Sequence, residues 1–540
     1  MTARATIRAM VVAPQPEAVE AGALVLKEGG NAVDAAIACA LVQTVVDPCM
    51  AGIAGFGTMH LYLPERGIHE CLDFHSRAPA AVREDMWADR ISGEARDGFG
   101  FFLKGQVNEI GYQAIMTPGS LKAYAEAVDR YACWSWNAVL QPALDQARQG
   151  FVIRPHVYEF WSKQADFGRV PMIDKLRFST TGRGIYFDSR GELKHPGDRV
   201  LNPDLRTSLE RIATGGAELF YDGDLAAAMA SDIQAHDGYL TRQDLSTYST
   251  RRQPPLWSSY RDYRVAANPP PGGGIMVLLM LNILEHFDLS RLGHNTADYI
   301  HVVSEAMKYA TIDKDRRIGD PEFIAVPVDE LISKDYAARL ANKIRDGERV
   351  QVERLDTVTE SRDTTQICVA DRQGNLVSMT HSLGMPSGVI SDGLGYMYNG
   401  CMSVFDPRPG HAGSLAPGKS RFTAMSPTLV FKDDQPCLVI GAPGGTWITM
   451  GVLQGILNVL DFDMSMSDAV AAPRFTANSN TIDVSNRIPN FVTRELEARG
   501  HPVARSYLSY AFAGVHGIRI DGGILSGGAD PGRDGMALGV

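Results

Sequence analysis

Residues 363–380 read Asp363-Thr364-Thr365-Gln366-Ile367-Cys368-Val369-Ala370-Asp371-Arg372-Gln373-Gly374-Asn375-Leu376-Val377-Ser378-Met379-Thr380. A threonine pair opens a run of strand formers that includes Ile367 and Val369. Asp371 to Asn375 supply turn residues, and Leu376 and Val377 begin a second strand. The stretch predicts two strands joined by a tight turn, with Thr364 at the open end. A threonine at the start of a buried strand is ordinary. It becomes a catalyst when the bond before it is cut, because its new α-amino group lies within reach of its own hydroxyl and can take the proton.

Ordered motifs stand on both sides of this stretch. Gly29-Gly30-Asn31-Ala32-Val33-Asp34-Ala35-Ala36 comes near the start, followed by Gly52-Ile53-Ala54-Gly55, Ala78-Pro79-Ala80 and Pro118-Gly119. Gly238-Tyr239-Leu240-Thr241, Pro269-Pro270-Pro271 and Glu305-Ala306-Met307-Lys308 come next. After the threonine pair stand Met425-Ser426-Pro427-Thr428, Gly441-Ala442-Pro443-Gly444-Gly445, Ala472-Pro473-Arg474-Phe475 and Gly528-Ala529-Asp530-Pro531. With the threonine pair, this ordered set resembles the γ-glutamyltranspeptidase family of N-terminal-nucleophile hydrolases over nearly the whole chain. That family's processing site reads Thr-Thr-His, then hydrophobics and Asp-x-x-Gly-Asn; here Gln366 replaces the histidine.

The resemblance implies an α/β (α+β) fold, a four-layer αββα sandwich. It is built from a large segment, 1–363, and a small one, 364–540, which together form one compact domain. It also implies self-cleavage between Asp363 and Thr364 by an N-to-O acyl shift, after which Thr364 is nucleophile and base at once. Ser382 falls where the family has a threonine that hydrogen-bonds the nucleophile; its alternative role is to satisfy backbone at a strand end. Gly444 and Gly445 match the family's Pro-Gly-Gly oxyanion loop, where backbone N–H groups must approach a developing negative oxygen closely. Taken alone they would read as a tight turn.

The substrate pocket departs from the transpeptidase pattern. In Asp73-Phe74-His75-Ser76-Arg77, His75 falls on the arginine that binds the glutamyl α-carboxylate, and Arg77 is displaced by two. Arg77 is expected either to clamp a substrate carboxylate or to make a salt bridge within the large segment. The family's Ser-Ser pair reads Thr423-Ala424, or involves Ser426. Its Asn after the supporting hydroxyl reads Gly384, and its Asp-Asp-Phe reads Ser403-Val404-Phe405. Val404 cannot offset the desolvation of a substrate ammonium group. The acyl half is therefore expected to lack the α-amine, or to place it on Asp406.

These readings give a self-processing amidohydrolase for a small amide with an anionic acyl half, of the oxamate or dicarboxylic monoamide kind. The alternatives are a γ-glutamyltransferase or glutathione hydrolase with a rearranged pocket, and an unprocessed non-catalytic relative. No metal or organic cofactor is expected, since nucleophile and base belong to one residue. The expected partners are the substrate, the two segments for each other after cleavage, and a possible second heterodimer.

Composition sets the outer limits. The 540 residues carry a net charge of −11, against a nucleic-acid partner. No apolar core of signal-peptide length precedes Pro14. The apolar run Ala35–Val46 is too short to span a bilayer. A cytoplasmic protein with no membrane partner is expected. Cys39, Cys49, Cys71, Cys133, Cys368, Cys401 and Cys437 are scattered, with no CxxC pair, so reduced structural thiols are expected. Helices are expected through Leu121–Val128 and Tyr299–Ala310. Strands are expected at Val369, Val377 and Val389, and a hairpin about Lys432–Pro436. The charged stretch Asp346–Arg362 reads as a solvated linker, released at its end by cleavage.

Overall fold

A computed structural model describes residues 7–163, 169–354, 364–510 and 512–540. Asp363 and the end of the charged linker lie outside the described residues.

Two antiparallel sheets form the middle of the molecule. The first runs, edge to edge, Met536–Gly539, Met10–Ala13, Thr365–Ala370, Leu376–Ser382, Phe56–Leu63, Ile68–Phe74 and Arg251–Gln253. The second runs Ile524–Ala529, His516–Asp521, Gln435–Gly441, Thr428–Lys432, Tyr263–Ala267 and Leu256–Tyr260. Both sheets draw strands from before and after residue 364.

Strand alternation produces the layers. Met10, Val12, Cys368, Ala370 and Leu376 of the first sheet meet Ala266, Leu429, Phe431, Val439 and Ile518 of the second in one apolar cluster. Their strand neighbours Val11, Ile367, Val369 and Val377 face the opposite way, onto helices Pro16–Lys27 and Ala32–Val46. Val265, Val430, Leu438 and Ile440 likewise turn outward onto helices Gly274–Leu284, Ala297–Arg317 and Ile448–Leu460. Helix, sheet, sheet and helix stack in that order, which is the expected αββα arrangement.

The opening hairpin forms as read. Asp371 accepts from the backbone N–H groups of Gln373 and Asn375, and its other oxygen accepts from Ala32 N at 2.8 Å. One carboxylate thus ties the turn to the start of helix Ala32–Val46. Asn31 caps that helix in a capping box with Asp34, which explains the Gly-Gly-Asn motif before it. Helices Ser120–Tyr131 and Ala297–Arg317 contain the two expected segments.

Three details differ from expectation. Val389 lies in a loop, not a strand. The turn of the second hairpin is the Asp433-Asp434 pair, both at positive φ, and Pro436 belongs to the following strand beside a register shift at Val430/Phe431. Two residues with positive φ suit the twist of a tight hairpin, and the irregular register accommodates the proline. The described part of the charged linker is also less solvated than its composition suggests: the Arg354 side chain is 9% exposed and paired with Asp315 and Glu94.

Candidate active site

Thr364 immediately precedes strand Thr365–Ala370 and is buried. The hairpin pairs Thr365 with His381, so one step further along the ladder Thr364 stands beside Ser382 on the neighbouring strand. The Ser382 hydroxyl accepts from Gly384 N at 2.7 Å and the residue is fully buried. Beneath the pair, Gln43 donates to Thr365 Oγ1 at 3.0 Å, and its carbonyl oxygen meets the ring of His381. Burial pushes the His381 pKa down to about 3, so this ring is a neutral strut. Gln366, at the family's histidine position, is saturated between the sheets: it donates to Ser378 Oγ at 3.0 Å and accepts from Thr380 Oγ1 at 2.5 Å.

Gly444 and Gly445 sit at the bend between strand Gln435–Gly441 and helix Ile448–Leu460. Their φ values are 139° and 59°. A Cβ on Gly444 would lie 2.7 Å from Ala513 Cα, so backbone angle and space both demand glycine there. The next residue, Thr446, donates to Asp97 Oδ2 at 3.1 Å. Burial raises the Asp97 carboxyl against the pull of nearby Arg169.

Thr446 lies on the wall of a cleft of about 440 Å³ that also includes Val404, Thr423 and Arg421. Val404 packs with Ala95, Phe99, Phe102 and Met385. His75 and Thr423 are joined: His75 Nε2 is 2.8 Å from Thr423 Oγ1, and Nδ1 bonds Asp73 Oδ1. Burial raises the Asp73 carboxyl, but the charge and hydrogen bonds of His75 outweigh it, and the net pKa is below the usual carboxylate value. An ionised Asp73 keeps the ring proton on Nδ1, so in a neutral ring Nε2 accepts from the Thr423 hydroxyl.

Comparison with known proteins agrees with this arrangement. A model of the γ-glutamyltranspeptidase family matches residues 18–540. The chain belongs to that family. It is 37% identical over 506 residues to an acylase ACY 1 proenzyme of Pseudomonas sp. strain V22, covering 92% of this chain and 88% of the relative. It is 33% identical over 556 residues to a glutathione hydrolase proenzyme of Bacillus subtilis strain 168, covering 98% and 91%. The crystal structure of a cephalosporin acylase from Bacillus halodurans superposes with a TM-score of 0.86 at 28% identity, over 100% of this chain and 97% of that one. The fold is that of the N-terminal-nucleophile hydrolases.

Within this γ-glutamyltranspeptidase-family frame, the structure redistributes the expected pocket residues. Arg77 is not on the cleft wall: its guanidinium stacks on the Tyr248 ring at 5.7 Å and donates to Ser249 O at 3.3 Å. The salt bridge read for it is not seen among the described residues. His75 points inward but spends both ring nitrogens on Asp73 and Thr423. Asp406 lines the cleft, yet both its oxygens accept from Arg408, at 2.9 and 2.7 Å. It is already neutralised. The Asp-x-Arg spacing was visible in the sequence and is the signal that was passed over.

Arg421 is the pocket residue that sequence reading missed. It lines the cleft at 5% exposure. Gly384 makes room for it, since a Cβ at 384 would lie 3.1 Å from Arg421 Nη2 and 2.9 Å from Cys401 Sγ.

Among the described residues, His301, Glu305 and His501 form one group with metal-ligand chemistry, away from the cleft. Glu305 accepts from Lys308 Nζ at 2.9 Å and from Val350 N at 2.7 Å, and the two rings are hydrogen-bonded to each other. An ammonium group already balances the carboxylate, and no metal is needed to explain the cluster. Among the described residues no helix is long and apolar enough to cross a membrane.

Proposed function

We propose that this chain is a self-processing N-terminal-nucleophile amidohydrolase. It cleaves between Asp363 and Thr364 and then hydrolyses a small amide whose acyl half is anionic and lacks an α-amine. The large segment 1–363 and the small segment 364–540 stay associated as one body. The relatives named as acylase and glutathione hydrolase proenzymes support amide hydrolysis after processing.

In the proposed reaction the Thr364 α-amine takes the Thr364 hydroxyl proton as the oxygen attacks the amide carbonyl. The oxyanion forms against the Gly444–Gly445 backbone, and the Ser382 hydroxyl orients the nucleophile. The ammonium returns its proton to the leaving amine. The acyl–threonine ester is then hydrolysed by water with the same amine as base. This sequence needs no group beyond the chain and water.

One observation carries the substrate assignment: among the described residues, each carboxylate of the cleft already has a cationic partner, Glu94 and Asp315 in Arg354, Glu353 in Arg316 and Asp406 in Arg408, so none is left for a substrate ammonium. Val404 is apolar, and Asp406 is held by Arg408. An ammonium desolvated there without a partner would cost several kcal/mol. The test is a rate comparison on processed protein among γ-glutamyl, glutaryl, succinyl and oxamyl anilides. The expected order places glutaryl or its shorter congeners above γ-glutamyl. Equal or better γ-glutamyl turnover would return the chain to the glutathione-hydrolase reading. A cytoplasmic location is part of the same proposal, and cell fractionation tests it.

A further inference from the structure

We infer that Arg421 is the residue that receives the carboxylate of the substrate's acyl half. This rests on the proposed amidohydrolase reading and names the anchor within it.

The argument begins with charge pairing around the cleft. Lys314 is paired with Asp315, Arg354 with Asp315 and Glu94, Arg316 with Glu353, and Arg408 with Asp406. Arg421 lines the same cleft and, among the described residues, has no carboxylate partner. Its Nη1 donates only to Phe422 O at 3.3 Å, and its Nε is buried without an acceptor. Its flanks are the Phe56 ring at 4.8 Å, the Phe99 ring at 5.8 Å, and the Cys401 thiol. A guanidinium cannot shed its charge by deprotonation at physiological pH, so burial leaves it strongly under-solvated until an anion arrives.

Three positions fit this role together. Gly384 stands where the family has asparagine, and its missing side chain leaves space for Arg421 Nη2. Val404 stands where the family has aspartate; a carboxylate on that wall would compete for the guanidinium. His75 stands on the family's arginine position but is locked to Asp73 and Thr423. The cation has thus moved from the strand end at 75 to the segment before Thr423. Planar N–H pairs on a guanidinium match a carboxylate in two parallel bonds.

The test compares glutaryl-p-nitroanilide with pentanoyl-p-nitroanilide, which has the same chain length and no charge. Wild type should prefer the glutaryl compound. In Arg421→Met the glutaryl-to-pentanoyl ratio of kcat/KM should fall by about 10²-fold, mostly through KM, and Arg421→Lys should recover part of it. If wild type shows no preference for the glutaryl compound, the anionic-acyl reading fails and this assignment with it. If wild type prefers it and Arg421→Met keeps the preference, only the assignment to Arg421 is overturned. Should the variants fail to process, a crystal structure of the wild-type protein with glutarate decides. One carboxylate is expected on the Arg421 guanidinium; binding at Arg77 or elsewhere overturns the inference.

Discussion

The two ends of the candidate site are specified by different physics. The Thr364 end is held by backbone: a hairpin register that sets Thr364 beside Ser382, and a glycine bend at 444–445 whose φ values exclude most side chains. The Arg421 end is held by side chains from distant parts of the chain, with Phe56, Gly384 and Cys401 around one guanidinium. Substitution at the first end should therefore remove the reaction, and at the second should redirect it.

The sharpest break of this comparison is Thr364→Ala. Without the hydroxyl no ester can form with the Asp363 carbonyl, and none with substrate. The variant should run as one uncut polypeptide on a denaturing gel and show no amide hydrolysis. Wild type should give two pieces, with Thr364 first on N-terminal sequencing of the smaller. A new N-terminus at another residue would remove the nucleophile assignment and the 1–363/364–540 division together.

Gly444→Val comes next. The added Cβ would meet Ala513 Cα at 2.7 Å, and valine is strongly disfavoured at a φ of 139°. The loop must move, and loss of one oxyanion donor is worth about 2.7–4 kcal/mol, or 10²–10³-fold in kcat. Gly384→Asn offers the contrast. It should leave processing intact while crowding Arg421, so that KM for an anionic substrate rises more than kcat falls. Equal losses of kcat in both variants would erase the distinction between the two ends.

The backbone end was legible in the sequence because its requirements are local. Strand alternation, the Asp371–Asn375 turn and the Gly-Gly pair each lie within a few residues, and the structure contains the hairpin and a bend at the two glycines. Val389 carries strand propensity, but its carbonyl accepts a single backbone bond, from Tyr398 N at 3.1 Å, that is not continued into a strand ladder. The side-chain end was only half legible. Val404 and Gly384 stood out as departures, but what they made room for did not. Arg421 owes its meaning to missing carboxylates, a property of three-dimensional neighbours rather than of spacing. Arg77 attracted attention by proximity in sequence to His75, and its chain direction takes it to Tyr248.

Val404→Asp sharpens the comparison from the pocket side. A new carboxylate on the cleft wall has two available partners, a substrate ammonium and Arg421. If it meets the ammonium, one charge-assisted bond of about 1.5–3 kcal/mol should raise γ-glutamyl kcat/KM by roughly 10–100-fold. If it reaches Arg421 first, glutaryl turnover should fall while γ-glutamyl turnover stays low. The pair of rates, measured on one preparation, separates the two. No change in either rate would mean that position 404 does not face the acyl half.

The smallest effect should come from Arg77→Ala. The guanidinium stacks on Tyr248 and bonds one backbone carbonyl on the protein surface, contacts worth about 0.5–1 kcal/mol each. Their loss should lower stability slightly and leave KM for the glutaryl compound within about threefold of wild type, since a factor of three is only about 0.65 kcal/mol. The result bears on the whole comparison, because Arg77 and Arg421 are two cations offered for the same anion. A large KM rise in Arg77→Ala with an unchanged melting temperature would place the carboxylate at the strand end after all. It would also require the Tyr248 stack to open when substrate binds. A small rise leaves the side-chain end of the site organised around Arg421, where burial with no carboxylate partner among the described residues makes an incoming anion most favourable.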